Sequence, residues 1–397
     1  MSIPLLLTLP WILVGSVMAF GIRFPRPLPH RAGPSPSPLP PVSIIVPARN
    51  EEHNIGRCVS SLAAQDHPDF EILVVDDRST DGTVAVVRAL PRGNARQIRV
   101  IEGEPLPPGW FGKPWACMQG ARAAGGRVLL FTDADTVHSP GLLSRSVVAM
   151  EEDGAGGLSL VGRQIMETFW ERVVQPHIFA LIGMRFPRLH IPIEPDRWPE
   201  AVANGQYVLV DREAYDGVGG HAVVKGEVVE DIRLAQELAR SGVRLTVRGA
   251  EDVFATRMYR NLRELVEGWT KNMATGAKQV VPSGLGGLVI PGLLLYLLGL
   301  WVLPSLVLLA TLLVAPEATG VLLWAGITTG CGLAIWVAGS RQMGAPALYG
   351  AFFPLGAATT AFILLRSWLR GARRIEWKGR RYASGALPGE GGAETTG

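Results

Sequence analysis

Two carboxylates spaced two residues apart close an apolar run, Val128-Leu129-Leu130-Phe131-Thr132-Asp133-Ala134-Asp135. The apolar residues predict a buried strand. In a strand-like stretch, residues two apart point to the same side. Ionised Asp133 and Asp135 on one side repel each other unless a cation lies between them. Hard divalent cations take oxygen ligands, and Mg2+ or Mn2+ held by one or two carboxylates commonly grips a substrate phosphate too. On its own an Asp-x-Asp more often marks a solvated strand end, so the surrounding elements decide.

Those elements alternate. Val42–Val46, Glu71–Val75, Ile98–Ile101 and Val128–Thr132 are predicted strands. Between them, Ile55, Cys58, Val59 and Leu62 make a helical apolar stripe, Thr83–Leu90 reads as a short helix and Lys113–Ala124 as a longer one. Such alternation predicts an α/β domain built on a mostly parallel, doubly wound, Rossmann-like sheet. Ligands in these sheets bind outside the carboxyl ends of the strands. Three of those ends are polar: Pro47-Ala48-Arg49-Asn50-Glu51, Asp76-Asp77-Arg78-Ser79-Thr80-Asp81, and Asp133-Ala134-Asp135. Any one could be a solvated loop; three on one rim favour a site. Further on, Gln206–Val210 is strand-like and Glu227–Ala239 helix-like, within a more mixed stretch.

Taken in order, Val42–Glu52, Val74–Thr83, Thr132–Asp135 and Val229-Glu230-Asp231 resemble the motifs of the family-two glycosyltransferases, over about 41–279 of the chain. The resemblance implies a nucleotide-diphospho-sugar transferase fold, a nucleotide-sugar donor, a divalent metal (Mg or Mn) and inversion at the anomeric carbon. It assigns the metal to Asp133 and Asp135, where it would act as Lewis acid toward the departing diphosphate. Pro47, Ala48, Glu51, Asp76 and Asp77 would form the nucleoside pocket. By resemblance Asp231 is the base that takes the acceptor's proton, and Glu230 supports it. Acidic residues also suit a helix start for dipole reasons alone.

Two features narrow the type. In Pro108–Ala116, Lys113 is a candidate partner for donor phosphate, and Trp110 could stack on sugar or lipid or simply pack its loop. In Glu267–Asn272, Trp269 alone survives of the Gln-x-x-Arg-Trp motif of processive synthases, which counts against polymer formation. Trp110 and Trp269 are the acceptor-side candidates. The chain looks more like membrane transferases that glycosylate one lipid, such as those acting on ceramide, hopanoids or carotenoids. The basic run Trp377–Tyr382 is similar to theirs, or is a plain membrane-flanking anchor. The alternatives are a polysaccharide synthase, a polyprenyl-phosphate transferase, or a membrane protein that binds nucleotide sugar without turnover; binding alone does not need Glu230 and Asp231. His221 reads as a structural histidine before a ligand, and the Asn204–Gln206 turn as near the acceptor side or a simple turn.

The remaining sequence points to a membrane. The chain has 397 residues, 48% of them hydrophobic, with mean hydropathy +0.22 and a net charge of only +3. No basic field argues for nucleic acid as a partner. The three cysteines show no disulfide or zinc spacing. No charged residue occurs from Met1 to Ile22, and uncharged runs recur at 279–316, 318–340 and 342–365, all of membrane length. Basic residues flank these runs, Arg23, Arg26 and Arg31 on one side and Arg366 to Arg381 on the other, which predicts cytoplasmic flanks. Three full C-terminal crossings would break that symmetry, so Pro291 and Pro304 suggest a hairpin or re-entrant first run. The expected organisation is an N-terminal transmembrane anchor (1–22), a Pro-rich linker (23–41), a cytoplasmic transferase domain (42–256), an interfacial helix (257–280), a C-terminal transmembrane region (281–369) and a basic, then disordered tail (370–397). The oligomeric state is open.

Overall fold

In the computed structural model the chain is described over residues 8–18, 23–30, 38–279, 286–370, 375–377 and 380–382. It divides into two compact units. One holds Pro25–Arg163, Leu189–Thr256 and Ala372–Gly397; the other holds Met1–Phe24, Gln164–Arg188 and Arg257–Gly371.

The first unit is built on β1 (Arg26–Pro27), β2 (Val42–Ala48), β3 (Phe70–Asp76), β4 (Ile98–Glu102), β5 (Val128–Thr132), β6 (Thr136–His138), β7 (Gly157–Val161), β8 (Tyr207–Asp211), β9 (Leu245–Gly249) and β10 (Phe254–Thr256). Eight of them form one sheet in the order β1-β9-β7-β8-β5-β2-β3-β4. β8 runs antiparallel to both neighbours, and the other pairs are parallel. The expected mostly parallel α/β sheet is therefore present. β2, β3 and β5 are buried along their whole length. Helices cover both faces, which is why these strands read as continuous apolar runs. Ile44, Ile72 and Leu130 join Ile55, Leu62 and Leu142 on one side. Ile45, Leu73 and Leu129 join Cys117, Leu234 and Leu238 on the other.

One detail of register shapes the site. β2 stays paired with β3 as far as Ala48↔Asp76, but its pairing with β5 ends at Ile45↔Phe131. The sheet thus parts at its carboxyl rim, between the strands that lead to Glu51 and to Asp133. Pro47 is tolerated there because no ladder toward β5 needs its missing N–H.

The expected linker is docked in part. β1 pairs with β9 at Arg26↔Arg248 and Pro27↔Gly249. Asp153 accepts from Arg26 at 2.9 Å and from Arg248 at 2.8 Å, and the Arg145 guanidinium donates to the carbonyl of Pro29.

The second unit is helical. Helices Phe169–Arg185, Leu262–Gln279 and Phe353–Arg370 share a core of Val174, Ile178, Leu265, Trp269 and Ile363. The sequence boundaries had run the transferase domain straight through 42–256, but Gln164–Arg188 falls in this helical unit. Glu267 pairs with Arg370 at 2.8 Å and with Arg366, so those two basic residues are committed to an ion pair. Among the described residues, three stretches are long and apolar enough to cross a membrane: Gly287–Val314, Thr319–Gln342 and Ala347–Arg370. The hairpin expected in the first is absent. That stretch is helical throughout: Pro291 lies inside Gly286–Leu295, a wider π turn follows over Tyr296–Val302, and Pro304 sits in the first turn of Leu303–Val314, where its missing N–H is harmless. Of the expected N-terminal anchor, helix Leu9–Ser16 is described, and residues 1–7 and 19–22 lie outside the described residues. In the basic tail, Ile375–Trp377 pairs antiparallel with Arg380–Tyr382, and 383–397 lies outside the described residues.

Candidate active site

The rim after β2 and β3 is laced together by side chains. The Asn50 N–H donates to Ser79 Oγ at 3.0 Å, and Asn50 Oδ1 accepts from the Thr80 N–H at 2.8 Å. The Glu51 N–H donates to Thr83 Oγ1 at 2.8 Å. The Asp76 carboxylate accepts from the Ser79 N–H at 3.2 Å, and Arg49 reaches the Asp77 carbonyl. Asn50 (φ 53°) and Arg78 (φ 58°) both adopt the left-handed region. Strained residues of this kind persist where surrounding bonds over-determine them, often around ligands. Asp76 and Asp77 are buried, Glu51 is half-buried, and Pro47 and Ala48 are the buried last residues of β2. The five expected donor-pocket residues therefore line one rim. Asp76 closes the turn onto Ser79, while Asp81 accepts from the Thr83 N–H at 3.0 Å where the next helix begins.

The second cluster joins three elements. Lys113 lies in the first turn of helix Gly112–Ala123, Asp133 follows β5, and Glu230 and Asp231 open helix Glu230–Arg240. Lys113 Nζ lies 2.7 Å from Asp133 Oδ1 and 3.0 Å from Glu230 Oε1. Asp231 Oδ2 accepts from the Gly205 N–H at 2.7 Å, and Oδ1 from the Ile232 N–H at 2.9 Å. A Cβ on residue 205 would stand 2.9 Å from both Asp231 Oδ2 and Lys113 Nζ, so glycine is what lets this backbone approach the charges.

Burial and charge set the protonation states here. Burial opposes the Lys113 charge, but Asp133, Glu230 and Asp231 outweigh it and hold that pKa well above the ordinary lysine value. Burial raises Asp133 against the pull of Lys113. Burial and then Glu230 push Asp231 up to about 6, despite Lys113 and the two amide N–H groups. Asp231 is thus ionised at neutral pH yet far more basic than an ordinary aspartate.

A divalent metal fits this donor set. Among the described residues no group of three or more carboxylate, imidazole or thiol side chains gathers as a ready-made cage. Asp133 and Asp135, both half-buried on the rim, match the other mode, in which one or two carboxylates share the ion with substrate phosphate.

The remaining candidates differ. Trp110 is half-buried and meets Trp115 edge-on at 5.0 Å, within reach of the loop that carries Lys113. Trp269 belongs to the helical unit, where it is buried against Phe179 at 6.0 Å and Tyr259 at 6.1 Å. His221 is buried and its Nδ1 lies 2.8 Å from the Tyr215 hydroxyl, which makes it structural; burial lowers its pKa to about 4. The sequence reading left Gly205 as a turn and assigned nothing to His138. Gly205 meets a residue 26 positions away, and no local pattern announces such a pair.

The chain is similar to known glycosyltransferases. A 4,4'-diaponeurosporenoate glycosyltransferase of Staphylococcus aureus (strain MRSA252) is 29% identical over 252 residues, covering 63% of this chain and 65% of that relative's length. A mannosyltransferase from Pyrobaculum calidifontis, solved in complex with GDP-Man and Mn2+, shares the fold with a TM-score of 0.52 at 18% identity, over 92% of this chain and 96% of its own. Residues 43–238 match the family model for glycosyl transferase family 2.

Proposed function

We propose that the chain is an inverting glycosyltransferase. It moves one sugar from a nucleotide-diphospho-sugar to the hydroxyl or carboxyl of a hydrophobic lipid, of carotenoid, hopanoid, glycerolipid or sphingolipid type, at the cytoplasmic face of the plasma membrane. One observation carries the reading: Asp231 is aimed by two backbone amides, and its neighbour Glu230 shares the Lys113 ammonium with Asp133. The nucleoside would rest against Pro47, Ala48, Glu51, Asp76 and Asp77. Its diphosphate would draw Lys113, the cation already shared between the two carboxylate clusters. A divalent ion held by Asp133 and Asp135 would neutralise the departing diphosphate. Asp231 takes the proton of the acceptor hydroxyl as that oxygen attacks the anomeric carbon from the face opposite the leaving group. The two relatives support a lipid-like acceptor, a nucleotide-sugar donor and Mn2+ by what their names record. The three membrane-length helices support the location, and the basic residues after the N-terminal run support the cytoplasmic side.

The test is product analysis. Membranes containing the chain, given labelled nucleotide sugars and a lipid extract, should yield a lipid bearing one sugar. A polymer or a phospho-linked sugar would move the assignment to a polysaccharide synthase or a polyprenyl-phosphate transferase. Asp231 adds a pH signature. Protonated, it cannot accept a proton, so kcat/KM should fall about tenfold per unit as pH drops below about 6, where this group titrates. A flat profile from pH 5 to 7 would remove Asp231 as the base.

A further inference from the structure

A buried polar chain runs behind the site, between its two carboxylate clusters. The Thr132 hydroxyl donates to the Gln206 carbonyl at 2.7 Å. Gln206 follows Gly205, whose N–H holds Asp231. Thr136 donates to the Asp133 carbonyl at 2.7 Å, so its hydroxyl touches that of Thr132 at 3.2 Å with no proton between them, and Thr132 reaches the Asp133 turn through the chain itself. One side chain closes the set. His138 Nε2 is 3.2 Å from Thr132 Oγ1, while its Nδ1 is 3.3 Å from Ser61 Oγ. The Thr132 hydroxyl spends its only proton on Gln206 and the Ser61 hydroxyl spends its own on the Cys58 carbonyl at 2.7 Å, so each contact draws on the one proton of the neutral ring; on Nε2 it serves Thr132, the shorter of the two contacts. His138 is 3% exposed, packed between Tyr207 at 6.0 Å and Phe254 at 5.2 Å. Burial holds it neutral, with a pKa lowered to about 3, so the ring carries one proton.

We propose that His138 is a positioning residue for the transfer reaction: by fixing the Thr132 hydroxyl, it locks the Asp133 turn and the Gly205 amide in one register. This rests on the reading of Asp133 as a metal ligand and Asp231 as base. The role differs from that of a core residue. β5 and β8 are already paired at Thr132↔Tyr207. The Thr132 hydroxyl adds a lateral bond just where that ladder ends and each strand turns toward a different catalytic group.

Amide hydrogen exchange of the full chain in lipid discs tests it, with His138→Phe, Thr132→Val and Thr132→Ser. Phenylalanine keeps the ring between Tyr207 and Phe254 and removes both nitrogens. Exchange at Gly205 should rise about fivefold in His138→Phe and Thr132→Val, as expected for one net hydrogen bond lost. Thr132→Ser, which restores the hydroxyl, should return it to the wild-type rate, and exchange in Phe70–Asp76 should not change in any of the three. In parallel, Mn2+ titrated by loss of the free-ion paramagnetic signal should bind about fivefold more weakly to His138→Phe. Unchanged exchange at Gly205 in both disrupting variants would overturn the proposal. So would a rise spread equally over Phe70–Asp76, which marks general loosening. The exchange arm needs no catalysis. If Gly205 responds as stated and no lipid is ever glycosylated, the network stands and the functional reading fails.

Discussion

Asp231→Asn should lower turnover by about 100-fold or more, the usual cost of losing a general base, while donor affinity stays near wild type. The substitution keeps the side chain's size. Its amide oxygen can still accept one of the two N–H bonds, from Gly205 or from Ile232. What disappears is the raised basicity produced by burial and by Glu230. Proton removal follows donor binding, so a titration with nucleotide sugar should hardly register the change. Turnover measured on a lipid extract gives the other half of the comparison. Near-normal turnover in this variant would mean that the base lies elsewhere, and Glu230 would be the next residue to replace.

Asp133→Asn should behave differently, weakening donor binding about tenfold and turnover about 100-fold together. It acts on phosphate charge in both the ground state and the transition state. It also breaks the 2.7 Å pair with Lys113, leaving that ammonium to Glu230 alone. Chelation of divalent ions from the wild-type chain should reproduce the loss, and Mn2+ or Mg2+ should restore it to the wild type more than to the variant. Full turnover in chelator would take the metal out of the mechanism. Full donor affinity in Asp133→Asn would take this carboxylate out of the donor site.

Much of the frame was legible because it is locally encoded. Val128–Thr132 is the strand its apolar run announces, and β2 and β3 extend only two residues or fewer beyond the runs that predict them at either end. The polar strand ends give away the rim because three of them fall on it together; singly, each is what a solvated loop would show. The missed elements depend on distant partners. β7 and β9 pair Gly157 with Leu245 across the chain, and neither strand stands out in its mixed surroundings. Helix Phe169–Arg185 is apolar enough for either unit, and only packing assigns it to the helical one. The prolines of Gly287–Val314 suggested a hairpin, but Pro291 falls near the start of one continuous helical stretch and Pro304 directly follows the π turn, which holds the residue four positions before it. At the site, residue types pointed to Asp133, Asp135, Glu230 and Asp231 as candidates, and the structure brings Asp133 and Glu230 together on Lys113. Their supports, Gly205, Thr132 and His138, are ordinary residues whose roles exist only in three dimensions.

The short strand Arg26–Pro27 also decides where this domain can be cut. The first long strand begins at Val42, and composition alone would place a soluble fragment's start there. Such a fragment would strip β9 of its outer neighbour and leave an unpaired parallel edge, the kind of surface on which chains stack and precipitate. It would also deprive Arg145 and Asp153 of partners they hold in residues 26–29. A fragment that starts ahead of Pro25 keeps the edge covered, and Pro27 then limits further strand addition because it offers no N–H. The proline-rich stretch is thus the sheet's selvedge as much as a tether.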